Sequence, residues 1–297
     1  MSDTLSQFSS AVAARTAAAA PLVVAVKLLD GSHLTATLWR GDLLVASEQS
    51  LPSRTEFDIV LPGGASAKAN LVGRDAGTNI AVLKLAARVT TSSPPQAAPT
   101  VGAVALAFGT DGAGGVSARL GLVNQAGPEW VSSRGGRIDR RIVLDVRLGR
   151  SEEGGPVLDT NGALIGISTF GPRRQVLVIP SATIERVIPL LQSDGRVARG
   201  WLGVAVQPVC VPDALQEKVG QSHGYMVMSA VADGPAAKAG VVPGDIVVAI
   251  DGEPLRRYRK FAAHLGPDSI GRNADISVIR SGAVVHVKAT ITARPAA

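Results

Sequence analysis

The 297-residue chain has a single cysteine, Cys210, and so can form no internal disulfide, which argues against a small secreted scaffold held by bridges. Aromatic residues make up only 3% of it, so any core must be built from Val, Leu, Ile and Ala. Histidine occurs four times, at His33, His223, His264 and His286. No uncharged apolar run approaches the ~20 residues that a membrane-spanning helix needs. The opening residues, Met1 to Phe8, carry no lysine or arginine, and the Ala-rich stretch from Ala11 to Ala20 is short and interrupted by Arg15. An export signal needs a basic start and an apolar run, so the expectation is a soluble, cytoplasmic protein.

Turn residues and short aliphatic runs are abundant. There are 33 glycines and 18 prolines, 46% hydrophobic residues and 18% charged ones, a balance that excludes a disordered chain and suits strands joined by tight turns. The net charge is +6. Arginines gather at Arg134, Arg137, Arg140, Arg141, Arg147 and Arg150, and again in Arg256-Arg257-Tyr258-Arg259-Lys260. Such clusters serve solubility or meet an acidic partner. Neither lies on a helix-turn-helix, a zinc finger or an aromatic stacking platform, so nucleic acid ranks only as a minor alternative partner.

Residues 4–20 are expected to form a short amphipathic helix stopped by Pro21. Aliphatic runs follow at 22–26, 34–39, 43–46, 58–61 and 80–85, separated by Asp30-Gly31, Arg40-Gly41-Asp42, Pro62-Gly63-Gly64 and Asp75-Ala76-Gly77. This punctuation predicts a barrel or sandwich. Residues 92–99 look like a connector, and a second strand series runs through 103–108, 116–123, 142–146, 157–158, 164–168 and 176–179. A helix over 181–192 puts Ile184, Val187, Ile188 and Leu191 on one face, and 193–199 is polar, as a linker would be.

The run from Gly234 to Gly252 is the most specific local pattern. Pro235 suits the first turn of a helix and Gly240 the left-handed position after it; Pro243-Gly244 makes a turn, 246–250 a buried strand, and Asp251-Gly252 a hairpin turn. This run resembles PDZ domains. From about residue 5 to 293 the order of segments resembles the HtrA/Deg family of trypsin-like serine proteases. Three segments carry that resemblance: Leu43–Gln49, Gly73–Leu83 and Gly149–Leu158. The implied fold is mainly β, a chymotrypsin-like double β-barrel followed by a PDZ domain. The expected organisation is an N-terminal helix over 1–20, the double barrel over 21–192, a linker over 193–199 and the PDZ domain over 200–297.

In the family those three segments normally supply the catalytic His, Asp and Ser. The matching positions here hold Gln49, Asn79 and Glu153. An amide cannot take a proton near neutral pH, and loss of a triad typically removes about a millionfold in rate. The expectation is therefore a non-catalytic homologue: no enzyme, a pseudoprotease serving as scaffold. The competing expectation is an active endopeptidase of protein quality control. The backbone N–H groups of Ser151, Glu152 and Glu153 correspond to the oxyanion-hole region, and the Glu153 carboxylate is expected to fold into it as a plug. Ser47 and Ser151 are hydroxyls near the site without a base. A hard-cation site from Glu48, Glu152 and Glu153 is a minor alternative; no metal or cofactor is expected.

By the same resemblance Arg199, Gly200, Trp201, Leu202, Gly203 and Val204 form the PDZ loop that takes a peptide's terminal carboxylate, and the strand after it pairs with the peptide. A helix over 258–265 presents Phe261 and Leu265 to an apolar groove, which favours a hydrophobic C-terminal residue. Trp201 is a candidate core residue, and His264 an edge residue. The expected partners are peptide C-termini or unfolded segments, an active protease of the family, and copies of the chain in a trimer.

Overall fold

The computed structural model describes residues 3–86, 89, 94–256 and 258–295, with the backbone alone at 258–260. It divides into two compact units: residues up to Trp130 together with Ile138–Val197, and Val131–Arg137 together with the chain from Ala198 onward.

Six antiparallel strands, Val23–Lys27, His33–Arg40, Leu43–Ser47, Glu56–Val60, Ser66–Asp75 and Ile80–Leu85, close a first barrel in the order first, second, third, sixth, fifth, fourth. A second barrel is made by Val104–Thr110, Val116–Gly127, Arg141–Asp145, Pro156–Asp159, Leu164–Phe170 and Val176–Pro180, closed in the same cyclic order. The two strand series thus repeat one topology. Closure leaves no unpaired edge on either barrel. Each interior is aliphatic, filled by Val24, Leu38, Leu44, Phe57, Ile59 and Leu83 in one case and Ile142, Leu144, Val157, Ile165 and Val178 in the other.

A third cluster joins residues of both barrels, including Val45, Val82, Phe108 and Ile167, to the helix Ser181–Asp194. That helix buries Ile184, Val187, Ile188 and Leu191, the face expected from the sequence. It ends at Gly195, whose φ of 68° lets its N–H return to Leu191 O at 3.0 Å. The ten-residue strand Ser66–Asp75 carries no local strand pattern at its start, because Ser-Ala-Lys-Ala-Asn lacks the β-branched residues that favour a pleated surface. Strand pairing to both neighbours holds it in place.

The N-terminal helix, Thr4–Ala19, is capped by Asp3, which accepts from Leu5 N at 3.3 Å. Its expected amphipathic character does not translate into a buried face. Only Ala19 is buried, Val12 is half-buried, and Leu5 and Phe8 are exposed.

In the second unit the strands Val204–Cys210, His223–Ala230, Ile246–Ile250, Asn273–Arg280 and Ala283–Thr290 lie in that order, leaving Val204–Cys210 at an edge. The helices are Asp213–Val219, Pro235–Lys238 and Tyr258–Ala263, the last two residues shorter than expected. The turn chemistry read from Gly234 to Gly252 is present: Pro235 starts a helix, and Gly240, Gly244, Asp251 and Gly252 have positive φ. Leu202, Tyr225, Val227, Val247, Ile250 and Phe261 form the core.

Candidate functional site

The barrels bring Gln49, Asn79 and Glu153 together. Gln49 sits in the turn Glu48–Ser50 that follows the strand Leu43–Ser47. Asn79, at φ 59°, ends the turn before Ile80–Leu85, and its Oδ1 accepts Gln49 N at 2.7 Å. Asn tolerates this left-handed backbone better than most residues. Glu153 leaves the turn Arg150–Glu152 and is followed by Gly154 and Gly155. Those glycines have no room for a side chain: a Cβ on Gly154 would lie 2.3 Å from Thr35 O, and one on Gly155 would lie 1.8 Å from Phe108 O.

Glu153 is the hub of this cluster and is buried. Its Oε1 accepts from Ser47 Oγ at 2.9 Å, Gln49 Nε2 at 2.5 Å, Thr169 Oγ1 at 2.7 Å and Phe170 N at 3.2 Å. Its Oε2 accepts from Ser50 Oγ. Asn79 Nδ2 donates to Ser47 Oγ at 2.9 Å and to Thr169 Oγ1 at 2.6 Å. Two amides and three hydroxyls therefore surround one carboxylate. The expected plug takes a different form. The Glu153 carboxylate turns to side chains of both barrels, while the N–H groups of Glu152 and Glu153 bond to Gly149 O at 3.1 Å and Arg150 O at 3.4 Å within their own turn. Ser151 O accepts from Thr35 Oγ1 at 2.6 Å.

Glu152 points elsewhere and is also buried. It accepts from Gly149 N at 2.6 Å, Ser117 Oγ at 2.9 Å and Arg119 Nε at 3.1 Å. Burial pushes its carboxyl up, but the Gly149 N–H, Arg119 and Ser117 outweigh burial and hold it below the usual range. Glu48 faces Arg74 at 3.8 Å. The three carboxylates of the cation alternative thus go to separate partners, and among the described residues no group of three His, Cys, Asp or Glu stands as a metal site.

An open cleft of about 920 Å³ adjoins the cluster, with Ser50, Ser151, Glu153, Phe170, Arg174 and His33 on its walls. His33 is the first residue of the strand His33–Arg40, and no motif in the sequence joined it to the site. Its pairing with Lys27 in the first barrel sets it at the cleft, where Nε2 lies 3.1 Å from Thr110 O. Ring closure into barrels is a long-range property that no local pattern announces.

In the second unit Gly203 has φ 76°, and its carbonyl accepts Val231 N at 2.8 Å, while Leu202 O accepts Ala236 N at 2.9 Å. Among the described residues, no backbone bond uses the N–H of Leu202 or Gly203. Two donors at the head of an edge strand suit an anion. Gly200 is required by close approach, since a Cβ there would lie 2.3 Å from Ser269 Oγ. Leu202 and Phe261 are buried, with Val204 and Leu265 half-buried beside them. Arg199 O accepts Arg294 N at 2.8 Å. Trp201 is half-buried and lines a surface pocket with Lys238 and Lys288, so it is not a core residue.

A model of the trypsin-like peptidase domain matches residues 34–167, and a PDZ domain model matches 226–265. The chain is 33% identical over 257 residues to a probable periplasmic serine endoprotease DegP-like of Brucella suis biovar 1 (strain 1330), covering 80% of this chain and 48% of that protein. A protein of the same description from Rhizobium meliloti (strain 1021) is 30% identical over 248 residues, covering 80% of this chain and 49% of that protein. This chain belongs to the HtrA/DegP family, with a trypsin-like serine protease domain followed by a PDZ domain. The chain spans about half the length of these HtrA/DegP relatives. Among solved structures, HtrA-type protease AlgW with a tripeptide superimposes with a TM-score of 0.72 at 26% identity, covering 96% of this chain and 98% of that one. The serine endoprotease from Yersinia pestis shares the fold, with a TM-score of 0.69 at 24% identity over 95% and 97% of the two chains.

These HtrA/DegP relatives correct two expectations. The reading of the chain as no enzyme is overturned, because the relatives at 30–33% identity are named serine endoproteases, which points to an enzyme. The cytoplasmic location is overturned as well, because the same relatives are named periplasmic. Among the described residues no helix is long and apolar enough to cross a membrane.

Proposed function

We propose that this chain is a periplasmic, HtrA/DegP-type protein of protein quality control whose PDZ unit captures hydrophobic peptide C-termini or unfolded segments. The observation that carries this reading is the edge strand Val204–Cys210, headed by the Leu202 and Gly203 N–H groups and flanked by Leu202, Phe261 and Leu265. An extended peptide adds to such an edge through main-chain bonds, and a nest of N–H groups takes its carboxylate. An HtrA-type relative of known structure holds a tripeptide, which supports it.

Endoproteolysis is the activity that the relatives' names support. For it, the cleft offers a hydroxyl–carboxylate pair, Ser50 and Glu153, in place of serine and imidazole. Ser50 Oγ would attack the peptide carbonyl as its proton passes to Glu153; the proton then goes to the leaving amine, and water releases the acyl group.

A second reading, in which the triad site is degenerate and the cleft serves as a scaffold for an active family member, is favoured by one observation. Glu153 already accepts five hydrogen bonds, more than the roughly four lone-pair sites of a carboxylate. Those bonds tie the carboxylate to side chains of both barrels, as a structural link between them would. Incubation of the purified chain with β-casein and with a serine-directed fluorophosphonate separates the two. Cleavage and labelling that vanish in Ser50→Ala support endoproteolysis; intact casein and no adduct support the scaffold.

A further inference from the structure

We propose that the PDZ unit carries a second anchoring site for its peptide, a pocket that takes an acidic side chain about six residues upstream of the peptide's C-terminal residue. The proposal rests on the peptide-capture reading above and adds a position and a charge to it.

The pocket has a volume of about 290 Å³ and is lined by Gly220, Gln221, Ser222, His223 and Arg256. None of the five is acidic. Arg256 gives one guanidinium hydrogen, from Nη2, to Gly220 O at a long 3.3 Å. A guanidinium carries five N–H donors in a fork that matches a carboxylate. Ser222 Oγ and His223 Nδ1 lie 2.9 Å apart, so the exposed His223 ring is oriented by its neighbour. Gln221 is buried and fixed, giving its Nε2 to His223 O at 2.8 Å and Val248 O at 3.0 Å. The pocket floor is therefore held by Gln221, and Arg256 keeps further guanidinium donors for a ligand beyond the one given to Gly220 O.

Its place relative to the edge strand sets the register. Cys210, the last residue of that strand, pairs with His223, while Val204 pairs with Ala230 at the other end. Side chains alternate along a strand, so His223 shares a face with Tyr225 and Val227. Tyr225 packs against Phe261 with ring centroids 6.1 Å apart, which places His223 on the groove side of the sheet. A peptide whose carboxylate sits at Leu202 and Gly203 must run antiparallel to Val204–Cys210. Six residues at about 3.3 Å each bring it ~20 Å along, level with Cys210 and His223. Arg256 opens the sequence run Arg256-Arg257-Tyr258-Arg259-Lys260, which solubility alone left unexplained; Arg257 lies outside the described residues.

Anisotropy titrations with the full chain test this, using fluorescein-labelled decapeptides that end in Val. Glu, Gln or Lys is placed five to seven residues upstream of the terminal residue. The expected order of affinity is Glu, then Gln, then Lys, with about five- to tenfold between the extremes at low salt and less at high salt. Arg256→Glu should invert that order, and His223→Gln should narrow it. Equal Kd values for the three peptides overturn the second site while leaving peptide capture standing. Failure of all three to bind overturns both.

Discussion

Gln49 gives its side-chain amide to the Glu153 carboxylate at 2.5 Å, and the two residues reach this contact from opposite barrels. Each occupies a position that the family resemblance assigns to a catalytic group. The neighbours Ser47, Ser50 and Thr169 turn their hydroxyls to the same carboxylate, so the cluster fastens one barrel to the other as well as lining the cleft.

Removing the hub should therefore cost stability. Glu153→Ala leaves the buried hydroxyls of Ser47 and Thr169 without their shared acceptor, and each such loss costs about 1–3 kcal/mol, whereas Gln49 keeps Phe170 O at 3.0 Å. Relaxation and water entry will recover part of that. The expected net loss is roughly 2–4 kcal/mol in urea unfolding of the barrel unit, and a change below about 0.5 kcal/mol would remove the hub from the account.

The glycines after Glu153 are fixed by space. Gly155→Ala puts a methyl where Phe108 O already lies, 1.8 Å from the new Cβ, and both are backbone-anchored. The barrel must open or distort to accept it. Far-UV circular dichroism and solubility of the variant should report misfolding, whereas a native-like, soluble variant would contradict this packing.

Acid should weaken the PDZ unit through Asp245. Burial pushes this carboxyl up, but the bonds from Arg280 and from Val242 N outweigh it and hold the group below its usual range. A carboxyl depressed in the folded state stabilises at pH above its unfolded value of about 3.9 and loses that contribution as pH falls below it. Hydrogen exchange in the strand Ile246–Ile250 should thus accelerate from about pH 4 downward. Asp245→Asn should flatten that dependence; an equally steep acid limb in the variant would assign it elsewhere.

Much of the fold was legible because the signals were local. Pro235, Gly240 and Gly244 set φ values that few other residues supply, and the short aliphatic runs between turns marked most barrel strands. The strand Ser66–Asp75 was not legible, since pairing on both sides, and no pattern of its own, makes it a strand. At the site, the meeting of Gln49, Asn79 and Glu153 followed from three matched segments. The destination of the Glu153 carboxylate did not, because it is chosen by Ser50, Thr169 and Phe170, which no motif joined to it. His33 reached the cleft for the same reason, by barrel closure. The relatives' names, and not any residue, moved the expected location and the expected activity class.

Capture of a peptide's carboxylate at the head of the edge strand is the claim from which the rest extends. Anisotropy titration of one Val-terminated decapeptide, with a free and with an amidated C-terminus, tests it on the full chain and on Gly203→Val. The φ of 76° at Gly203 and the 3.2 Å from its would-be Cβ to Gly234 Cα make that variant deform the loop. The account predicts at least about tenfold weaker binding on amidation, consistent with loss of charge-assisted bonds, and a comparable loss in the variant. Equal affinity for the free and amidated peptides would contradict it.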